Sequence, residues 1–143
     1  MFKNLFKKQK KESQNNKNIL IIALLVHAAK IDENYTENEK KIITTAISNL
    51  NQISFNESEK ILELAEKKEK ESNQIVEFTR EIKKYSMEFR LKIIEIIWKI
   101  VYSDDANDVY ESNLIRRICG LLYISDKDNG IVKTKVQNYI KKI

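Results

Sequence analysis

Two pairs of carboxylates stand out among the residues able to do chemistry. Asp32 is followed seven residues later by Glu39, and Asp104 seven residues later by Glu111, so the second pair repeats the first at an offset of 72. In each pair the Asp closes a strongly apolar segment and the Glu falls on the opening turn of an amphipathic one. Two Asp, two Glu and neighbouring loop carbonyls form a hard, all-oxygen donor set, the chemistry that suits Ca²⁺, Mg²⁺ or Mn²⁺.

Simpler roles compete with a metal. Glu39 and Glu111 come three residues after Thr36 and Asp108, where a carboxylate reaches back to the N-cap and complements the helix dipole. Asp32 and Asp104 are expected at helix C-termini, where unpaired carbonyls disfavour negative charge and a cation, a Lys or plain hydration must compensate. Neither loop is an EF-hand: the Glu comes at the eighth position and not the twelfth, and the turn glycine is missing.

The elements that position these groups are helices. The 143 residues include no Pro and two Gly, and one in three is charged, a composition that favours long helices over sheet turns. Residues 17–31 are apolar on almost every side, from Ile19 to Ala29, and predict a central buried helix. A second helix over 36–50 opens on the capping-box pattern Thr36/Glu39. A third starts at Ser54 or Asn56, with Ile61, Leu62, Leu64 and Ala65 facing inward and Glu66 to Glu71 as a solvated end. A fourth covers 74–85.

Ser86 caps a fifth helix through Val101, whose polar stripe is only Lys92, Glu95 and Lys99. The sixth covers 109–123, and Ser125 caps a last one to about Ile140 that Gly130 weakens. The expectation is thus an all-α single domain of about six to seven helices over 17–143, built on a duplicated helical hairpin.

The formal charge of +5 is a property of the N-terminus. Residues 1–20 hold six Lys against Glu12, and the other 123 balance 20 basic with 20 acidic groups, leaving no stripe for nucleic acid. Residues 1–16 read as a basic flexible tail. Its Phe2, Leu5 and Phe6 share one helical face, which leaves docking on the body or weak contact with an anionic membrane surface open. The run Ile19 to Val26 is too short to span a bilayer and leads without a break into the first acidic loop, so it reads as core and not as a signal peptide.

One cysteine, Cys119, and one histidine, His27, exclude an internal disulfide and a zinc site of the usual ligands, and place the chain in the reducing cytoplasm. His27 reads as a hydrogen-bonded core residue, Cys119 and Trp98 as packing, and Arg116 and Arg117 as exposed charge. No phosphate-cradling glycine loop and no second histidine are present, which argues against an enzyme.

The segments Ala28-Ala29-Lys30-Ile31-Asp32-Glu33 and Tyr102-Ser103-Asp104-Asp105, with Tyr110-Glu111 and Leu114-Ile115-Arg116-Arg117-Ile118 behind the second, resemble the twin signature segments of TerB-like (tellurite resistance protein B) proteins. Leu62-Glu63-Leu64-Ala65-Glu66 and Phe78-Thr79-Arg80 resemble that family's middle helices, and the resemblance covers Asn18 to Asp128. It implies an all-helical array in which the acidic loops meet, with a metal site at Asp32, Glu39, Asp104 and Glu111. Where the family usually has Gly after each Asp, this chain has Glu33 and Asp105. The same module resembles the membrane-proximal domain of some DnaJ-like proteins, so a stress-response or chaperone adaptor without metal, meeting a protein partner, stands beside the metal reading.

Overall fold

In the computed structural model, which describes residues 18–31, 35–72, 74–103 and 109–141 (of 109–112 and 141 the helical backbone only), the first apolar run forms helix α1 over residues 18–29. Ile21 to Val26, Ala28 and Ala29 are all buried, so within 21–29 only His27 of α1 reaches solvent. The remaining helices are α2 (Glu37–Asn51), α3 (Phe55–Glu71), α4 (Ile75–Ile82), α5 (Met87–Ser103), α6 (Val109–Leu121) and α7 (Asp126–Lys141), and no strand occurs among the described residues. Like α1, α5 is central, burying Ile93, Ile94, Ile96, Ile97, Trp98, Ile100 and Val101. Each such Ile or Leu stabilises the fold by about 1.5–3 kcal/mol through burial.

The duplication is visible in three dimensions. Helices α1 and α2 form one hairpin and α5 and α6 the second, with α2 opening at Glu37 and α6 at Val109, the same 72-residue offset as the carboxylates. Each hairpin is latched at the end away from its acidic loop. Asn18 Nδ2 donates to Asn51 Oδ1 at 2.9 Å in the first, and Arg90 Nη1 donates to the Leu122 carbonyl at 2.8 Å in the second. Arg90 stands 72 residues after Asn18. Both second helices end on a left-handed residue other than glycine, Gln52 (φ 52°) and Tyr123 (φ 57°). The next N–H then reaches back five residues, Ile53 to the Ser48 carbonyl at 3.3 Å and Ile124 to that of Cys119 at 2.9 Å.

Hydroxyl caps also account for the starts of α3, α5 and α7. Ser54, Ser86 and Ser125 each accept the backbone N–H three residues on, from Glu57, Phe89 and Asp128. The fourth helix stops at Ile82, short of the expected Tyr85, because Lys83 to Tyr85 must turn the chain into the Ser86 cap.

Helix α3 corrects two expectations. Its inward face is Ser58, Leu62 and Ala65, a spacing of four then three whose next member is Glu69. Leu64, two residues past Leu62, points about 200° away from it and is 54% exposed, so it does not face inward. Glu69, expected within a solvated end, is drawn in instead.

Helix α7 lies along α5, buries Val136 against the core and is tied down by polar contacts. Trp98 Nε1 donates to Asn129 Oδ1 at 2.9 Å, Gln137 Nε2 donates to the Tyr102 hydroxyl at 2.7 Å, and Lys135 pairs with Glu95 at 3.3 Å. Gly130 sits within α7 without interrupting it, and a Cβ there would meet nothing within 4 Å. Gly130→Ala is therefore expected to raise the unfolding free energy by about 0.8–1 kcal/mol. Urea melts of the two proteins check this, and a loss of stability would mean that the helix needs glycine there.

Candidate acidic-loop site

The site grows from the start of α2. Thr36 is extended (φ −84°, ψ 161°) and caps the helix, its Oγ1 accepting the Glu39 N–H at 3.1 Å. The Glu39 carboxylate completes a capping box, accepting the Thr36 N–H at 2.9 Å and the Thr36 hydroxyl at 3.1 Å on the same oxygen, Oε1. Glu39 is 2% exposed, so this buried anion is held by two donors and by the positive end of the helix dipole.

Around it stands a polar cluster that the residue spacing alone did not bring together. Glu69 of α3 takes His27 Nδ1 on Oε1 at 3.3 Å and the Lys30 ammonium on Oε2 at 2.9 Å. Lys30, one residue past the last turn of α1, places positive charge where the helix carbonyls want it. Tyr35 packs with Lys40 Nζ 5.0 Å and Lys30 Nζ 5.8 Å from its ring centre. Burial, then the negative charges of Glu66, Glu39 and Glu37, push the Tyr35 phenol well above its ordinary range. The signal for Glu69 was present in the sequence as the fourth member of the α3 inward series.

Of the four residues expected at a metal site, only Glu39 has a described side chain. Asp32 and Asp104 lie outside the described residues. Glu111 is on the first turn of α6, and its side chain also lies outside them. Among the described residues no group of three or more His, Cys, Asp and Glu side chains could hold a metal ion.

The other singled-out residues occupy the places their types suggested. Trp98 and Cys119 are buried, and Arg116 and Arg117 exposed. Burial, then the charge of Asp126, push the Cys119 thiol up to about 12, which leaves it neutral and unreactive at physiological pH. His27 is hydrogen-bonded as expected, but it is only partly buried, its side chain 29% exposed. No described helix is long and apolar enough to cross a membrane.

These features define an all-helical module of two hairpins with a cluster of His27, Lys30, Tyr35, Glu39 and Glu69 beside an inter-helix loop. Residues 18–133 match the family model described as tellurite resistance protein TerB, and the chain belongs to that family. Neither the curated proteins nor the solved structures yielded a match.

Proposed function

We propose that the chain is a non-enzymatic module in which Asp32, Glu39, Asp104 and Glu111 hold a hard divalent cation, Ca²⁺, Mg²⁺ or Mn²⁺, between the two acidic loops. The bound ion would fix the angle between the hairpins, and the hairpins would meet a protein partner in a stress response. The observation that carries this reading is the Glu39 carboxylate, buried and pinned at the head of α2, with Glu111 on the opening turn of the duplicate helix α6. A pre-oriented carboxylate in an all-oxygen set suits a hard cation, which would supply charge neutralisation and rigidity there. The reading is non-enzymatic because the one thiol is buried and neutral and the one imidazole is paired with Glu69. A buried, reduced cysteine also fits the cytoplasm.

One observation favours a second reading, a structural adaptor in a chaperone or membrane-associated complex without metal. Both Thr36 donors already converge on Glu39 Oε1, so the capping role is complete without an ion.

Calorimetric titration separates the two. Chelator-stripped protein titrated with Ca²⁺, Mg²⁺ or Mn²⁺ is expected to bind one of them, and Asp32→Asn/Asp104→Asn to lose that binding while keeping its helical circular dichroism. At a concentration 100-fold above Kd the ion would stabilise the wild type by about 2.7 kcal/mol. Silence in the wild type, with a double mutant at least as stable, would sink the metal reading and leave the adaptor.

A further inference from the structure

On the side of the molecule where α2 faces α5, the two helices leave an open groove of about 550 Å³, edged by Tyr139 of α7. Its floor is aliphatic. Ile42, Ala46 and Leu50 recur every fourth residue along α2, and Ile96 rises from α5 to meet them. Its walls are cationic, with Lys41 on one side and Lys92 and Lys99 on the other. Glu95 is the one carboxylate among the lining residues, and it is already held by Lys135 at 3.3 Å and Lys99 at 4.0 Å. Among the described residues Lys41 and Lys92 have no carboxylate within ion-pair distance.

We propose that this groove docks an acidic amphipathic helix of a partner protein. An apolar floor repeating at helical spacing accepts anchors at i, i+3 or i+4 and i+7 of such a helix, and the lysine walls match acidic flanks. From Asn38 to Leu50 the α2 wall runs about 18 Å, a little over three helical turns. Charge also decides between occupants. The chain's own residues 1–16 have Phe2, Leu5 and Phe6 at suitable spacing, but five Lys against one Glu set them against the lysine walls. A second copy presenting the same face would bring the same lysines. The inference rests on the reading of the chain as an interaction module and is independent of the cation.

The test is fluorescence anisotropy in EDTA with a dye-labelled model peptide of about 14 residues, carrying Leu at every third or fourth position and Glu on both flanks. A twin peptide has Lys in place of each Glu. The wild type is expected to bind the acidic peptide saturably, more weakly as salt rises, and to ignore the basic one. Lys41→Glu/Lys92→Glu changes two exposed side chains. It is expected to weaken the acidic peptide by about tenfold or more and to gain affinity for the basic one. Equal binding of both peptides, no saturable binding, or an unchanged preference in the variant would overturn the proposal. So would binding of dodecanoate without the peptide, which would make the groove a lipid site, or self-association through this face. Because chelator is present throughout, failure here bears on the groove, and failure of the cation titration bears on the loops.

Discussion

Phe78→Ala is expected to cost about 3–5 kcal/mol of unfolding free energy. Helix α4 has eight residues and its N-cap, Gln74, makes no side-chain cap bond. An isolated helix so short is unstable in water, so α4 exists because its inward face is buried. That face is Ile75, Phe78 and Ile82, at i, i+3 and i+7, with Phe78 fully inaccessible to solvent. Deleting the ring removes its transfer free energy and leaves a cavity that the surrounding core cannot fill without losing its own packing. Against a total stability of about 5–15 kcal/mol the variant approaches unfolding at 25 °C. Urea denaturation with a common m-value is the measurement. Val76→Ala, at a position 37% exposed on the same helix, is the control and should cost less than about 0.5 kcal/mol. A loss below about 1.5 kcal/mol for Phe78→Ala would mean that α4 is peripheral and that the core does not depend on it.

The helices could be read from the chain because each states its own burial. A helix apolar on every side, such as α1, has nowhere to go but the centre, and hydroxyls at Thr36, Ser54, Ser86 and Ser125 mark starts that need no tertiary information. The duplication was legible too, since the 72-residue offset that links Asp32 to Asp104 also links the opening of α2 to that of α6 and Asn18 to Arg90. What escaped were features created by packing one helix against another. Leu64 looked inward by composition and points outward by phase. Glu69 looked solvated because it lies in a charged run, yet its phase carries it to His27 and Lys30. The thin polar stripe of α5 was visible as Lys92, Glu95 and Lys99, but only the placement of α2 and Tyr139 opposite turns it into the wall of a groove. Of the four carboxylates expected at a metal site, Glu39 is the one with a described side chain, and it serves the helix cap, the role its spacing from Thr36 had also offered.

The capping and metal roles of Glu39 can be separated by two substitutions that treat its charge and its hydrogen bonds differently. Glu39→Ala removes the acceptor of both the Thr36 N–H and the Thr36 hydroxyl in a part-buried setting and leaves space behind a side chain that is 2% exposed. A lost cap interaction and a stranded donor together are expected to cost about 2 kcal/mol in the apo protein. Glu39→Gln keeps an amide oxygen where Oε1 stands, so the cap persists, but it removes the negative charge. The apo stability of Glu39→Gln should therefore lie well above that of Glu39→Ala. If the carboxylate also ligates a cation, Glu39→Gln loses most of the melting-temperature rise that Ca²⁺, Mg²⁺ or Mn²⁺ gives the wild type, although its apo fold is nearly intact. If Glu39 is only a cap, any cation-induced rise survives in Glu39→Gln, and the ion, where one binds, is held by the other carboxylates. Melting curves of the three proteins with and without cation read both quantities at once. Equal apo stability of Glu39→Ala and the wild type would show that the capping box contributes nothing, and the burial of Glu39 would then need another cause.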